Sequence, residues 1–280
     1  MMEYEAAVLR KLQLTEVEVL KAVDALCAKH AIPYFLDSGT ALGAARHKGF
    51  IPWDDDIDIG MLRHDYDRFL ALAPAELAGK YLVGSPQATP HYAPMFAKVW
   101  KGGTRFSTQE TIEAGFDQGI FIDVFPYDPL HAHAETAKKQ VKTCRFWQRI
   151  SYVYHAQSII VPHKGILGCA EKALCRVAHG VARIFFSREQ IAQSFDKAAR
   201  KGAENPSDCC MAMAYPIPSG FKMDMLMPTQ KGEFEQEFFP VPANIEAYLE
   251  ILYGATWREL PPLEQRKNHA PLSIDFGEDL

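Results

Sequence analysis

The sequence lacks any run of about 20 apolar residues, the length that a membrane-spanning helix needs. It has no CxxC pair and no spacing typical of a disulfide framework, although six cysteines are present. The N-terminal segment carries acidic residues early and no long apolar stretch, so no signal peptide is expected. These absences predict a cytoplasmic protein with reduced thiols.

Excess basic charge is also missing. The 280 residues carry a formal net charge of −5, and the calculated pI is near 6.1. A general nucleic-acid binder would show a basic stripe and a high pI, so no nucleic-acid partner is expected. The hydrophobic share of 48% and the charged share of 23% are ordinary for a globular protein with one large or two small domains.

Local patterns predict short strands and helices in the first 130 residues. A capping box at Thr15 and Glu18 predicts the start of the first helix. Short apolar runs bounded by turns predict strands at YFL, 81–83, 96–100 and 120–124, and a helix is predicted at 64–72. Near the C-terminus, a strand is predicted at 234–239, followed by a helix that is capped by Asn244 and ended by Gly254.

The middle of the chain has few turn signals and, from Thr136 to Ala170, no acidic residue. Its basic residues from Lys138 to Arg149 form either a solvated helix face or a surface for an anionic acceptor. An apolar stripe at helical spacing runs through Leu167, Ala170, Leu174, Val177, Val181 and Ile184. We interpret it as the core-facing side of a helix; the alternative is weak, peripheral contact with the inner membrane face.

The segment WDDDIDI is the most informative part of the sequence. Side chains alternate along a strand, so Asp56 and Asp58 point to one side while Ile57 and Ile59 enter the core. Two neighbouring carboxylates repel each other unless a cation lies between them, and oxygen ligands suit Mg²⁺. A solvated acidic turn is the structural alternative.

Two further segments complete this pattern. Ser38, Gly39 and Thr40 follow an apolar strand and open a short helix, where small residues let backbone N–H groups approach a phosphate. In GIFIDVFPYD, the strand alternation predicts that Asp123 projects away from the core, whereas Asp128 is predicted to cap a turn. A small-residue turn followed by Asp-x-Asp and a third carboxylate resembles the signature of the nucleotidyltransferase superfamily.

The run YFLDSGTALGAARHKGFIPWDDDIDIGMLRHDYDRF resembles the core motif of the LicD phosphotransferases, which are related to the fukutin-type sugar phosphotransferases. GIFIDVFPYD and PVPANIEAYLEILYGATWRELPPLEQRKNH are similar to the second and the C-terminal blocks of that family. The resemblance covers about half of the chain. It implies an α+β fold with a nucleotidyltransferase-like mixed sheet, plus a mainly helical middle region.

The resemblance also implies an organisation and a chemistry. We expect a nucleotidyltransferase core in 1–130, a mainly helical acceptor-side region in 131–235, and a C-terminal segment, 236–280, that packs back on the core. Asp56, Asp58 and Asp123 would be catalytic and would bind Mg²⁺ or Mn²⁺. The donor would be a CDP-activated alcohol such as CDP-choline. The acceptor would be a cell-surface glycan or teichoic acid precursor, either free or linked to a lipid.

Donor contacts are expected from the turn at Ser38, Gly39 and Thr40, from Arg46 and from Trp53. An Arg offers planar donors for phosphate oxygens, and aromatic rings can surround a trimethylammonium group. The aromatic candidates for such a cage are Trp53, Trp100, Tyr127, Trp147, Tyr152 and Tyr154. His269 and Arg266, in the C-terminal block, either close over the donor or have a structural role.

Other functions remain open from the sequence. The same metal site would serve a nucleotidyltransferase that moves an NMP group. A GT-A glycosyltransferase also uses Asp-x-Asp, although only about 55 residues precede the motif here. A non-catalytic binding protein of the same fold is the third alternative, against which the clustered carboxylates argue.

Overall fold

A computed structural model describes residues 4–156, 165–266 and 268–277. The helices are α1 (Ala6–Lys29), α2 (Ser38–His47), α3 (Arg63–Glu76), α4 (Gln109–Ala114), α5 (Ala134–His155), α6 (Gly165–Phe185), α7 (Arg188–Ala199), α8 (Met223–Leu226) and α9 (Ile245–Tyr253). The strands are β1 (Phe35–Leu36), β2 (Asp58–Leu62), β3 (Tyr81–Gly84), β4 (Ala97–Lys101), β5 (Arg105–Ser107), β6 (Phe121–His131), β7 (Pro206–Ala212), β8 (Phe221–Lys222), β9 (Gln230–Phe234), β10 (Glu237–Val241) and β11 (Ser273–Asp275). Short 3₁₀ turns lie at Arg200–Glu204 and Leu263–Gln265.

The main sheet is mixed and has seven strands. Its order is β1-β2-β6-β4-β3, and β7 extends it by pairing with the second half of β6 and with β8. The pairing of β2 with β6 is parallel and the other pairings are antiparallel. This arrangement confirms the predicted α+β fold with a mixed sheet. The domain boundaries at 130 and 235 stay a prediction, and 206–222 adds two strands to the main sheet.

The core lies between this sheet and the helices that cover it. Ile57, Ile59, Ile122 and Val124 are fully buried, as the alternation of the two aspartate-bearing segments predicts. Burying an aliphatic side chain of this size stabilises the fold by about 1.5–3 kcal/mol. The apolar residues therefore fix the register in which the neighbouring aspartates are presented.

The predicted start of the first helix is wrong. Helix α1 begins at Ala6, and Thr15 lies inside it, where its hydroxyl donates to the Lys11 carbonyl at 2.8 Å. The upstream turns are stabilised by packing, since Leu12 is fully buried in a small cluster with Trp100 and Phe106. Tertiary contacts thus override the local capping signal.

The C-terminal part of the chain agrees better with the sequence patterns. The strand predicted at 234–239 is a hairpin of β9 and β10 around a tight turn. Asn244 caps α9 by accepting from the Ala247 amide at 3.1 Å, and Gly254 ends that helix with a φ of 80°. The predicted capped helix is confirmed.

The apolar stripe of α6 does not face the core. Leu174, Val177, Val181 and Ile184 are 46–78% exposed, so this interpretation is wrong for these four residues. The side chains of Leu167 and Ala170 lie outside the described residues. Contacts are made from other sides of the helix, where Ala182 is buried and the His179 ring contacts the Val153 carbonyl. In the described part of the chain, no helix combines the length and the apolar character needed to span a bilayer.

Candidate active site

Two neighbouring parallel strands bring the predicted carboxylates together. Asp58 begins β2 and is paired in register with Asp123 of β6. The Asp123 amide donates to the Ile57 carbonyl at 2.8 Å, which fixes the residue before Asp58 against β6. Asp56, Asp58 and Asp123 line one cavity of 410 Å³, here called the carboxylate cavity. The strand alternation predicted for Asp123 is confirmed.

A lysine completes the floor of this cavity. Lys98 lies opposite Asp123 on β4, and its ammonium group donates to the Asp123 carboxylate at 2.5 Å. The same group lies 3.4 Å from the centre of the Phe121 ring, a cation–π contact. Sequence reasoning missed Lys98, although a lysine between the apolar residues of the strand AKVWK is a recognisable signal. The cavity therefore contains both a carboxylate cluster and a fixed cation.

Burial and mutual repulsion disfavour the charged form of the clustered acids. Burial raises the pKa of Asp56 to about 6, with Asp123 and Asp55 adding to the shift and His269 opposing it. The pKa of Asp58 is raised well above its usual range by burial and by Asp56 and Asp123. The pKa of Asp123 is also raised by burial, against the effect of Lys98. A divalent cation would relieve this repulsion.

Asp55 connects the cavity to the chain's C-terminal segment. It is 1% exposed, accepts from the Tyr4 hydroxyl at 2.9 Å, and accepts from the His269 amide at 2.9 Å. A hydrogen bond to Asp55 raises the pKa of the His269 ring to about 9, with Asp56 and Asp55 charges adding and burial opposing. Among the described residues, Asp55, Asp56 and His269 form a set whose possible ligand atoms lie within 4.8 Å of one another. This set shares Asp56 with the predicted metal-binding set of Asp56, Asp58 and Asp123.

The small-residue turn lies at the edge of the same cavity. Asp37 is 2% exposed, caps α2 by accepting from the Ser38 amide at 2.7 Å, and also accepts from the hydroxyls of Tyr127 and Tyr248. Ser38 lines the cavity, with a left-handed φ of 45°. The Thr40 hydroxyl accepts from the Asp58 amide at 2.8 Å. The turn is therefore joined to the first residue of the carboxylate strand.

Gly39 is the close-packed member of this turn. A Cβ atom built on it would lie 2.9 Å from a carboxylate oxygen of Asp54. A side chain here would force the Asp54 carboxylate to move. The absence of a side chain at Gly39 thus lets the acidic loop approach the turn closely.

This geometry agrees with what comparison with known proteins finds. Residues 31–164 match the family model described as LicD/FKTN/FKRP, nucleotidyltransferase domain. The chain is thus similar to this family over just under half of its length. The matched range contains Asp56, Asp58 and Asp123, together with the turn at Ser38 and with Lys98.

Relatives of known name match parts of the chain. It is 39% identical to the lipopolysaccharide cholinephosphotransferase LicD of Haemophilus influenzae, over 43% of this chain and 44% of that protein. It is 44% identical to the ribitol 5-phosphate transferase FKRP of Homo sapiens, over 16% of this chain and 9% of that protein. An uncharacterized protein of Rickettsia typhi, RT0683, is 42% identical over 23% of this chain and 21% of its own length. The chain thus spans less than half the length of these curated relatives.

Two residues of the LicD-like motif lie in a different cavity. Arg46 and Trp53 line a cavity of 460 Å³ with Trp257, here called the tryptophan cavity. Arg46 donates to the carbonyls of Trp257 and Glu259 at 2.9 and 3.0 Å. The Arg266 guanidinium lies 4.6 Å from the Trp53 ring centre. The structure does not bring Arg46 and Trp53 to the carboxylate cavity, so their predicted donor contacts stay untested.

Asp128, in the second block of the LicD-like sequence, is not a turn cap. It lies inside β6, is fully buried, and accepts two hydrogen bonds from Arg63 at 2.7 and 2.6 Å. The prediction fails because β6 continues past Pro126 to His131. Proline lacks an amide donor but is tolerated where that position needs none. Asp128 is therefore one half of a buried ion pair.

The aromatic candidates separate into different places. Tyr127 and Tyr152 line the carboxylate cavity, whereas Trp100 is buried in the core. Trp147 packs on Phe186, and Tyr154 lies in another cavity. Among the further rings of this cavity that sequence reasoning missed are Phe96, Phe125 and Tyr215. Their centroids lie 4.4, 5.9 and 5.7 Å apart in pairs, so they form one aromatic wall.

Proposed function

We propose that this chain transfers a phospho-alcohol group, phosphocholine from CDP-choline, to a hydroxyl of a cell-surface glycan or teichoic acid precursor. CMP is the leaving group. The observation that carries the proposal is the in-register pairing of Asp58 with Asp123 at the floor of a 410 Å³ cavity. The names of the LicD and FKRP relatives, a cholinephosphotransferase and a ribitol 5-phosphate transferase, support phosphoryl-group transfer.

The donor set of the cavity suits a hard divalent cation. Asp58 forms no salt bridge among the described residues, and its pKa is raised by burial and by its acidic neighbours. Carboxylate oxygens that repel one another in a buried site are the ligands that Mg²⁺ or Mn²⁺ accepts. We assign Asp56, Asp58 and Asp123 as the residues that would hold it. Such an ion would neutralise charge on the donor pyrophosphate and orient the leaving group.

The residues of the chain supply the remaining chemistry. The acceptor hydroxyl attacks the phosphorus that carries the alcohol; a new O–P bond forms as the P–O bond to CMP breaks. A cavity carboxylate accepts the hydroxyl proton as the new O–P bond forms. Lys98 holds Asp123 at 2.5 Å and adds positive charge where phosphate oxygens gather.

The aromatic wall supports a cationic head group. Phe96, Phe125 and Tyr215 border the carboxylate cavity, and the Tyr215 ring is 58% exposed. A trimethylammonium group is attracted by the faces of aromatic rings. We therefore assign the choline end of the donor to this wall, with its phosphates towards Ser38, Gly39 and Thr40.

The assay that tests the proposal measures CMP. The protein is incubated with Mg²⁺ and a panel of CDP-choline, CDP-glycerol and CDP-ribitol, with and without glycan acceptors. We expect CMP release that is fastest with CDP-choline and that stops in EDTA. Release of pyrophosphate from CTP without CMP release from any CDP-alcohol would instead indicate a nucleotidyltransferase.

The tryptophan cavity has its own test. We keep Arg46 and Trp53 as proposed donor contacts, because an Arg offers planar donors for phosphate oxygens. Arg46→Gln should raise the KM for the CDP donor. An unchanged KM would confine the donor to the carboxylate cavity and give Arg46 the structural role of holding the 257–259 backbone.

The exposed side of α6 is proposed as a weak contact with a membrane surface near a lipid-linked acceptor, on the cytoplasmic side. Leu174, Val177, Val181 and Ile184 offer a continuous apolar side for the bilayer interface. Flotation with anionic phospholipid vesicles tests it. Val177→Ser combined with Ile184→Ser should abolish flotation, and equal flotation by both proteins would contradict it.

A further inference from the structure

A second charged cavity, here called the basic cavity, lies between α5, α6 and the start of α7. Its volume is 240 Å³, and its basic lining residues are His91, His155, His179, Arg183 and Arg188. Glu113 also lines it, and its carboxylate accepts from the side-chain Nε2 of Gln109 at 2.6 Å. The chemistry of this lining is opposite to that of the carboxylate cavity.

The two arginines retain capacity to bind an anion. Arg183 lies 5.5 Å from the Tyr154 ring centre and takes part in none of the salt bridges found among the described residues. Arg188 pairs with Glu189 at 2.5 Å, but its Nη1 atom is buried without a hydrogen-bond partner in the described part of the chain. A buried N–H group that lacks a partner is unfavourable, and an oxygen of a bound anion would satisfy it.

The histidines are held in fixed positions. The Nδ1 atoms of His155 and His179 lie 2.9 Å from the carbonyls of Ser151 and Val153, respectively. Because a carbonyl only accepts, each Nδ1 carries the hydrogen, and the ring orientation is fixed. The pKa of His155 is lowered, first by burial and also by His91, Arg183 and Arg188. Positive groups thus converge on this cavity.

A groove lies between the basic cavity and the carboxylate cavity. The groove has a volume of 380 Å³ and is walled by Phe106, Phe116, Phe121 and Tyr152, so we call it the aromatic groove. It shares Lys98, Phe121, Tyr152 and His269 with the carboxylate cavity. It shares His91 and Ala114 with the basic cavity. The three spaces are therefore neighbours, and each shares wall residues with the next.

We propose that the basic cavity binds a phosphate group of the acceptor. The acceptor then lies along the aromatic groove and presents its hydroxyl at the carboxylate cavity. Arg183 and Arg188 supply charged donors for the phosphate oxygens. This rests on the proposed function, and it specifies the acceptor as a phosphorylated glycan or polyol.

The test uses the full chain without Mg²⁺ or donor, so that binding at the carboxylate cavity does not contribute. Isothermal titration calorimetry measures the Kd of glucose 6-phosphate, glucose and inorganic phosphate. We expect glucose 6-phosphate to bind more tightly than either of the others. Arg183→Gln and Arg188→Gln should each weaken it at least about tenfold, the effect of one charged hydrogen bond.

Arg176→Gln is the matched control. Arg176 lies two turns earlier on α6, is exposed and does not line the cavity, so its Kd should stay within about twofold of the unchanged protein. Arg188→Lys provides a second variant that keeps the charge if Arg188→Gln does not fold. Equal losses in Arg183→Gln and Arg176→Gln, or no binding by the unchanged protein, would overturn the proposal. Inorganic phosphate binding as tightly as glucose 6-phosphate would reduce the cavity to a free-anion site and also overturn it.

A parallel measurement separates this proposal from the proposed function. CMP release from CDP-choline to water, with Mg²⁺ present, should be the same in Arg176→Gln as in the unchanged protein, because Arg176 lines neither cavity. If no protein releases CMP while glucose 6-phosphate still binds as expected, the proposed donor chemistry fails and the anion site stands. Loss of water-dependent CMP release in Arg183→Gln would contradict an acceptor-only role.

Discussion

Each face of strand β6 carries an aspartate paired with a basic side chain, but one pair borders a cavity and the other is enclosed in the protein. On the open face, Asp123 is paired with Lys98 at 2.5 Å and remains 8% exposed to the carboxylate cavity. On the closed face, Asp128 is paired with Arg63 at 2.6 Å and is fully buried. The two aspartates are five residues apart, so the alternation of the strand places them on opposite faces.

The difference lies in what each carboxylate has left to bind. Asp128 is held through both oxygens by the planar fork of Arg63, which is typical of a structural ion pair. The Asp123 contact with Lys98 uses Oδ1, and this face of β6 also presents Phe121, Phe125 and Tyr127 to the cavity. A buried ion pair therefore indicates a functional site only when a cavity lies beside the carboxylate, as it does at Asp123.

The largest expected effect tests the open face. Asp123→Asn should lower kcat for CMP release by about 10³-fold, because it removes a ligand or proton acceptor needed in the transition state. The acceptor KM should change little. Asp58→Asn should behave in the same way, since the two residues are in register. Steady-state kinetics of CMP release measure both effects. Full activity in both variants would mean that the carboxylate cavity takes no part in the reaction.

The closed face should respond in stability instead. Asp128→Asn leaves the buried Arg63 without its full counter-charge, which costs about 3–5 kcal/mol in comparable buried pairs. Thermal unfolding followed by circular dichroism measures the loss as a lower Tm. The folded fraction should keep the kcat of the unchanged protein.

A double variant sharpens this result. Arg63→Met combined with Asp128→Leu removes both charges and should recover much of the lost stability, because an apolar pair needs no compensation. A double variant as unstable as Asp128→Asn would mean that the contacts of Arg63 with Asp196 or Asp67 matter more than the pair itself.

The open face was predictable from sequence because its signal is local. Ile122 and Val124 alternate with Asp123, so strand parity alone predicts the direction of the carboxylate. Asp128 was not predictable in the same way. Its partner Arg63 is 65 positions earlier in the chain, and Pro126 suggested that the strand ended. Parity works within a strand, whereas the partner of a buried charge depends on how distant segments fold together.

Other parts of the site depend on contacts of the same distant kind. His269 reaches Asp55 from 214 positions away, and Lys98 reaches Asp123 from the neighbouring strand β4. The aromatic wall joins Tyr215, which follows β7, to Phe96 before β4 and Phe125 in β6. No motif in the sequence spans these separations. The mixed sheet, in contrast, follows from short apolar runs that alternate with polar residues.

The aromatic wall offers a smaller effect on the open face. Tyr215→Ala should raise the KM for CDP-choline about two- to fivefold, the size of one cation–π contact at an exposed ring. Tyr215→Phe keeps the ring and should leave that KM unchanged. With CDP-glycerol, which has no cationic head group, Tyr215→Ala should have a weaker effect. An equal rise for both donors would assign Tyr215 to the nucleotide instead of the head group.

The smallest effect concerns the pH dependence of stability in the metal-free protein. In the folded state, the pKa of Asp56 is raised to about 6 and that of His269 to about 9. At a pH between the ordinary pKa of either group and its raised pKa, the folded state therefore binds more protons than the unfolded state. Stability therefore falls as the pH rises, through about 6 for Asp56 and through about 9 for His269. In EDTA, the Tm should decrease between pH 5 and pH 9.

Asp56→Asn should flatten the lower part of this decline, because it removes the carboxyl that must ionise inside the cavity. Asp117→Asn is the matched control, since Asp117 is a surface carboxylate whose side chain is 80% exposed. Mg²⁺ should raise the Tm at pH 8 more than at pH 5, because the ionised carboxylates bind it best. A Tm that rises with pH in EDTA would contradict the raised pKa values. It would also mean that the two faces of β6 do not differ in the way described, with repelling carboxylates on the open face and a carboxylate neutralised by Arg63 on the closed face.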